Sequence, residues 1–528
     1  MNEFVQRHAD KVMGVMSGFD RMWFRGTLRL IASVAGLLAY MRYSGGGGGV
    51  LLKDFREWSM GITERVKTAG REAMTAAGRR VMYLNRSRVS KEDLARQIMR
   101  EDGIVTGPVC LLEAVEPCRT YEIHRGGGRL SLAGKTGMCL HQYSYFMDEQ
   151  VGLSHVRVCT WLPLEVKVSM NGRERLVRDL EREGVAYERR GNCVSRLGSA
   201  ADFSRVQELL DGQLKTDWGS LLGRMLEKAN PVLGDAIRLD GAPLERYWSL
   251  EQSEWATDVL FKDARSLSRL YPVLAREAML GLGSCDVMRF LGAPVSVNGV
   301  IPRNFSREVT SDMKVRSQQM RVRHRVGNNS VKMYDKEGRM LRCETTIHDP
   351  RGLRVYRGTE SNPDDKKWRA CRKGVADVHR VAEIAGKANE RYLSYLSKIE
   401  SSQSVGELLG PLCDGVTHQG KRYRGLRVMA SGDVQLLEAV GLGQWQIQGF
   451  TNGQLREVIF GDASLDKREE NRRRGRMSRQ LALLRAHGIV RRVSRTRRWM
   501  LTSKGQRVVT LLTAAKHATA SDLLKKAA

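Results

Sequence analysis

Close cysteine pairs are missing. The nine cysteines, Cys110, Cys118, Cys139, Cys159, Cys193, Cys285, Cys343, Cys371 and Cys413, never stand two to four residues apart, which excludes a zinc ribbon and leaves them reading as buried or idle thiols. Long apolar runs are missing too. The longest, Leu30 to Met41, is about 12 residues where a bilayer span needs about 20, so no transmembrane helix is encoded and no membrane partner is expected. Glu3, Arg7, Asp10 and Lys11 precede any apolar stretch, unlike the order of a secretory signal, and the expectation is a cytoplasmic protein. A Walker loop, a GxSxG elbow, an HExxH pair and a GxGxxG turn are all absent, which removes ATP-driven and elbow-type hydrolytic readings. Acid is in short supply: 59 acidic against 88 basic side chains leave +29, an excess that points to a polyanion, with nucleic acid as the leading partner.

What is present is globular. Hydrophobic residues make up 41% and charged ones 28% of 528 residues, enough for several modules of about 150 residues each. The pattern predicts a multidomain α+β chain. Residues 1–102 read as mainly helical, from amphipathic spacing in Phe4 to Met16 and a capping-box-like Ser90-Lys91-Glu92-Asp93 opening a helix to Glu101. Gly45 to Gly49 reads as a flexible loop. Residues 103–300 read as a mixed α/β body, with alternating strands at Ser154–Trp161 and Glu165–Ser169 and helices at Arg173–Glu183, Ala201–Leu214, Trp218–Ala229 and Leu250–Phe261. Residues 301–405 carry an antiparallel β-hairpin and a long helix, 406–430 read as a linker, and 431–528 as a C-terminal winged helix-turn-helix ending in a small-residue tail.

The last of these is the most explicit. Helices are expected at Val434–Val440, after a Thr451 cap through Phe460, and at Lys467–Ala486, with a short extended piece at Trp445–Gln448. Met477, Leu481 and Leu484 form an inward stripe on the third helix, whose other faces carry Arg472, Arg473, Arg474, Arg476 and Arg479. Gly488 ends it. Ile489–Val493 and Arg498–Thr502 then form a wing with Arg491, Arg492, Arg495, Arg497 and Arg498. From Lys467 to Arg507 there are 15 basic and two acidic residues, nearly half the net charge. Arginine dominates, and its planar fork suits phosphate and guanine edges. This order, with the string AHGIVRRVSRTRRWMLTSKG, resembles the MarR-type winged-helix family, which implies contact with double-stranded DNA. The whole chain is also similar to a group of large bacterial proteins whose recognised part is a winged helix, a likeness that implies no activity.

Catalysis has one candidate. The hairpin Ser330–Lys336 and Met340–Ile347 reads YDK on its first strand and RxE on its second, and resembles part of the rolling-circle replication initiators. That resemblance implies a divalent ion, magnesium or manganese, beside a nicking tyrosine. Carried over residue by residue, Tyr334, Asp335 and Lys336 match the first element and Arg342 and Glu344 the second. With Lys336 paired to Arg339, Asp335 and Glu344 share a face but stand roughly 13 Å apart. One ion therefore needs a third ligand, His348, Asp349 or Asp20, with Glu344 and Asp349 as the metal candidates. Lys332, Lys336 and Arg342 are the hairpin's candidate backbone contacts. Glu251, Glu254 and Asp258, read on a helix, are expected to face water or arginines, the alternative being a metal held by Glu254 and Asp258 one turn apart. His141, Tyr143 and Tyr145 are expected to line a strand as a base-stacking platform or an ordinary sheet face.

Together these features predict a nucleic-acid-binding protein holding an extended structured RNA or DNA, as a ribonucleoprotein or mobile-element component. The alternatives are a metal-dependent nicking or strand-transfer enzyme and a transcriptional regulator.

Overall fold

The computed structural model describes residues 3–517 except 86–89, 191–192, 200–201, 235–236, 238, 240, 242, 294, 296–304, 317–318, 337, 360, 398–404, 429, 443–444, 446–448, 463–465 and 494–495. Most of the extended piece expected after Trp445, the wing residue Arg495 and the tail from 518 lie outside the described residues.

In chain order the first elements are α1 (Glu3–Arg7), β1 (Val12–Leu28), α2 (Val34–Arg42), α3 (Phe55–Ala76), β2 (Arg80–Tyr83), α4 (Lys91–Glu101), β3 (Gly107–Gly126) and β4 (Arg129–Asp148). There follow β5 (Gly152–Cys159), β6 (Val166–Asn171), α5 (Gly172–Glu183), β7 (Tyr187–Arg190), β8 (Cys193–Leu197), α6 (Asp202–Gly212), α7 (Trp218–Ala229) and β9 (Arg246–Phe261). Next come α8 (Ala264–Leu280), α9 (Ser284–Phe290), β10 (Val309–Arg316), β11 (Gln319–Val326), β12 (Asn329–Lys336), β13 (Met340–Ile347), β14 (Arg354–Arg357), β15 (Lys367–Ala370) and α10 (Val378–Ser397). The chain closes with α11 (Val405–Cys413), β16 (Val416–His418), β17 (Lys421–Tyr423), α12 (Ser431–Val440), β18 (Phe450–Thr451), α13 (Asn452–Phe460), α14 (Lys467–Ala486), β19 (Val490–Arg492), β20 (Arg498–Leu501) and α15 (Ser503–His517). The class is α+β, as expected.

Two units are built from interleaved segments. The larger takes residues 8–267 and 328–390, the smaller 1–7, 268–327 and 391–528, so the blocks read from the sequence do not follow one another as separate bodies.

In the larger unit nine strands lie side by side in the order β12-β13-β9-β1-β6-β5-β4-β3-β2, antiparallel throughout except for β2 beside β3. β3 and β4 close through Gly127 and Gly128, both at positive φ, as a two-residue hairpin turn requires. One sheet face buries Phe24, Val166, Val168, Trp255 and Ile347 under helices α3, α7 and α10, through Ile62, Val66, Trp218, Leu222 and Ala385. Each such large apolar side chain, fully buried, contributes about 1.5–3 kcal/mol. Asn389 locks α10 down: its amide donates to the Trp255 carbonyl, Thr257 Oγ1 and the Cys343 carbonyl, each at 3.1 Å, and accepts from Thr345 at 2.7 Å. On the opposite face α5 and α6 cover Met16, Leu260 and Met340, and α4 covers Leu112, Tyr143 and Tyr145.

Two helices expected from the sequence are strands. The stretch to Met16 is α1 followed by β1, and Leu250–Phe261 is β9. β9 is buried on both faces from Trp255 to Phe261, which erases the two-residue alternation that announces a strand. The start of β1 buries only Val12 and Met16, a four-residue spacing that reads as helical. The five-glycine run holds a 3-10 turn at Gly45–Gly47, with Gly45, Gly46, Gly47 and Gly49 at positive φ.

In the smaller unit α11–α15 and β16–β20 share one core. Leu409, Leu412, Leu426 and Val428 are buried in it with Leu436, Phe450, Leu455, Met477, Leu481, Leu484 and Val508, so the stretch expected as a linker is part of this body. Its glycine and arginine content hid four regularly used apolar anchors. Also in this unit, β10 and β11 form a hairpin whose His324 is held between Ser311 and Tyr392.

Candidate metal centre and basic C-terminal surface

Three carboxylates converge on the polar stretch of the large sheet. Ligand oxygens of Asp20, Glu254 and Glu344 all lie within 4.8 Å of one another, from the adjacent strands β1, β9 and β13. A β-bulge brings the first into place. Phe19 pairs with Trp255 and Met22 with Ser253, so Asp20 and Arg21 together oppose Glu254, the kind of local distortion that re-aims a side chain. Glu344 pairs with Ala256, which pairs in turn with Gly18, and the Leu210 side chain of α6 packs over that glycine.

The surroundings of the trio are charged. Lys332 Nζ lies 2.6 Å from Glu344 Oε1 and 3.6 Å from Glu254 Oε1, and Tyr334 donates to Glu344 Oε2 at 2.7 Å. Arg342 donates to Asp20 at 2.8 Å and forks onto Asp258 at 2.5 and 2.8 Å, while Arg173 reaches Asp258 at 3.0 Å. Asn171 donates to the other Asp20 oxygen at 3.2 Å. Asp20, Asp258, Arg173 and Arg342 are fully enclosed; Glu254, with 15% of its side chain exposed, is the trio's outlet to solvent. Four carboxylates thus contact three cations, Lys332, Arg173 and Arg342, with Arg21 and Lys336 acting from farther off.

The titration directions follow from these surroundings. Burial, with Glu344 next to it, pushes Glu254 up to about 7. Burial also opposes ionisation of Glu344, but Lys332, the Tyr334 hydroxyl and Arg342 outweigh it and hold its pKa below the usual range. Burial and then Glu344 drive Tyr334 well above the ordinary phenol, so in this state it is a donor that orients a carboxylate. A hard divalent cation takes oxygen ligands at about 2.0–2.6 Å. The donor set fits magnesium or manganese, because all three ligands are carboxylates.

Several sequence expectations are corrected. Lys336 pairs with Met340, so Asp335 faces Leu341 and lies on the opposite sheet face from Glu344; the two do not share a site. Asp349 is not among the converging ligands either: it caps a 3-10 turn and pairs with Arg351 at 2.9 and 3.0 Å. Arg342 is wholly buried on its two aspartates and Lys332 is held by Glu344, so neither is a backbone contact. Lys336 is half-buried, its pKa lowered by burial and then by Arg342. Asp258 pairs with arginines as expected, whereas Glu254 joins the metal candidates. Tyr143, Tyr145 and His141 are buried, with Tyr143 donating to Glu116 at 2.7 Å, so no base reaches them. Asp20 is one of the three options for a third ligand; the sequence marks Glu254 only as one of a carboxylate pair with Asp258 on a helix, because its actual partners come from strands far along the chain.

The C-terminal arginines stand differently. α13 opens on a reciprocal Thr451–Gln454 capping box, and α14 on Asp466, which accepts from the Arg468 amide at 2.9 Å. Met477, Leu481 and Leu484 point inward, and Gly488, at φ +72°, follows the helix end. Arg472 and Arg473 share Glu469, and the guanidinium groups of Arg473 and Arg476 lie over the Phe460 ring, each 5.6 Å from its centroid. Arg474, Arg476 and Arg479 are exposed and have no acidic partner among the described residues. On the β19–β20 hairpin Arg492 and Arg497 are exposed, Arg491 and Arg498 are half-buried, and Arg498 donates to the Gly449 carbonyl at 3.2 Å.

A cleft missed in the sequence adds to this surface. About 910 Å³ in volume, it runs between α14 and the segment after β16, with Lys421, Arg422, Arg424, Arg427, Arg476 and Arg479 on its walls. Its one acidic wall residue, Asp433, is clamped by Arg424 at 2.7 and 2.8 Å and by the Arg427 amide at 2.8 Å. The basic spacing of 421–427 was the available signal, read instead as a linker.

Among the described residues no helix is long and apolar enough to cross a membrane. No family model, curated protein or solved structure matches this chain.

Proposed function

We propose that the protein binds nucleic acid through a C-terminal winged helix-turn-helix, with α14 as the recognition helix and β19–β20 as the wing. The observation that carries this reading is the row Arg474, Arg476 and Arg479, exposed without acidic partners and continuous with the basic cleft of Lys421, Arg422 and Arg427. Cations neutralised within the protein would offer nothing to a phosphate; these remain available. The charge outside this module favours a long contact over a short operator, as in a ribonucleoprotein or a mobile-element protein. Sequencing the nucleic acid that copurifies with the full chain tests the proposal: one enriched RNA or DNA supports it, and protein free of nucleic acid that binds neither polymer at low salt refutes it.

A second reading is favoured by the trio of Asp20, Glu254 and Glu344. With magnesium or manganese bound, such a centre supplies a Lewis acid and an activated water for phosphodiester cleavage. Asp20, Glu254 and Glu344 would hold the ion, Lys332 would keep Glu344 in position, and Arg342 would do the same for Asp20. Incubating supercoiled plasmid or structured RNA with the protein and either metal reads this directly. Cleavage lost in Glu254→Gln and Glu344→Ala supports the reading, and cleavage that survives both assigns the activity elsewhere.

A further inference from the structure

Three thiols far apart in the chain meet on the large sheet. Cys118 on β3, Cys139 on β4 and Cys159 at the end of β5 have sulfurs all within 4.8 Å of one another, with Cys139 and Cys159 at 3.4 Å. The ladder explains the meeting. Cys118 pairs with Gly137 and Cys159 with His141, so each stands diagonally across from Cys139, and all three side chains leave the same sheet face. Diagonal neighbours have Cα atoms about 7–8 Å apart, beyond the separation of about 4.4–6.8 Å that a disulfide spans. A shared ion has no such difficulty. Tetrahedral zinc with bonds of about 2.3 Å places its sulfurs about 3.8 Å apart, inside the range found here.

His141, on the same strand and face, lies 3.9 Å from Cys139 Sγ through its Nδ1, which also meets the Cys139 carbonyl at 3.2 Å, so the histidine stays outside the converging set. Cys139, Cys159 and His141 are buried, while Cys118 is half-buried and gives the group an opening. The remaining cysteines do not assemble in this way among the described residues. Separations of about twenty residues between successive members concealed the set from any motif of ribbon spacing.

We propose that Cys118, Cys139 and Cys159 bind a zinc-class divalent ion. The ion would be structural, joining three neighbouring strands, and distinct in chemistry from the oxygen-lined trio of Asp20, Glu254 and Glu344. Binding displaces the thiol protons to solvent and changes no oxidation state. The proposal does not depend on the nucleic-acid reading.

The test uses the full chain, purified under reducing conditions from zinc-supplemented cells and analysed for metal by mass spectrometry. One zinc per chain is expected, lost in Cys139→Ser and in Cys159→Ser and retained in Cys413→Ser, whose thiol is exposed in the smaller unit. Should the buried variants fail to fold, Cys118→Ser gives the same comparison from a half-buried position, and cobalt exchange into the unmodified protein gives an independent one. Cobalt should produce an intense near-ultraviolet thiolate charge-transfer band. Absence of both zinc and that band, zinc retained in all three variants, or a Cys139–Cys159 disulfide in metal-free protein would each overturn the proposal.

Discussion

Replacing Glu254 by glutamine should make the metal-free protein more stable at alkaline pH. In the folded state this carboxyl is raised from 4.5 to about 7 by burial and by Glu344. The folded chain therefore holds its proton where the unfolded chain has released it, and stability falls as pH climbs from about 4.5 to about 7. Above that window the full penalty applies. A displacement of about 2.5 pKa units corresponds to about 3 kcal/mol at 1.36 kcal/mol per unit, an upper figure because Gln252 and Lys332 can follow the charge. Thermal unfolding in a chelator, at pH 5 and pH 8, reads the effect. Glu254→Gln should melt close to the unmodified protein at pH 5 and several degrees above it at pH 8. Manganese should raise the melting point of the unmodified protein at pH 8 and leave the variant unmoved, because the ion takes up the charge that glutamine removes. A variant that melts lower than its parent at pH 8, or gains equally from manganese, would refute the electrostatic account of the trio.

Arg342→Met should destabilise the larger unit by about 3–5 kcal/mol, since it strands two buried aspartates; urea unfolding with the Asp258→Asn partner in a double-mutant cycle measures it. Tyr334→Phe should leave metal-dependent cleavage in place and move its acidic limb to higher pH, because Glu344 loses a donor; loss of a covalent protein–nucleic acid adduct in this variant would instead make the tyrosine a nucleophile. Reversing Arg474, Arg476 and Arg479 to glutamate should weaken binding and flatten its salt dependence, each lost phosphate contact removing about 0.9 from the log–log slope on duplex DNA, as read by fluorescence anisotropy. Asn389→Ala should loosen α10 by about 1–3 kcal/mol through unmet acceptors on β9 and β13, visible as faster amide exchange in those strands.

Local signals in the sequence were legible and tertiary ones were not. Ser90, Thr451 and Gly488 mark helix ends because capping chemistry acts within a few residues, and the helix from Lys467 to Ala486 and the hairpin after it fall where those marks put them. Tyr334 and Glu344 were found near one another, but Asp335 was assigned to the wrong sheet face by a one-residue difference in hairpin register. Glu254 and Asp20 join Glu344 only through β9 and β1, and the bulge that turns Asp20 toward them is invisible in a single strand. β9 itself lost its alternation to burial on both faces. Arg342 shows the same limit from the other side: a basic residue on a hairpin suggests phosphate until the fold supplies Asp20 and Asp258 as its partners.

The central claim is that the exposed cations on α14 and in the adjoining cleft that lack an acidic partner among the described residues neutralise phosphates. Its most direct test is a titration of the full-length protein against labelled duplex DNA and structured RNA over a series of salt concentrations. The account predicts submicromolar binding of at least one polymer near 50 mM salt, with log affinity falling linearly against log salt at a slope of several units. Affinity that is absent at low salt, or indifferent to salt, would contradict it.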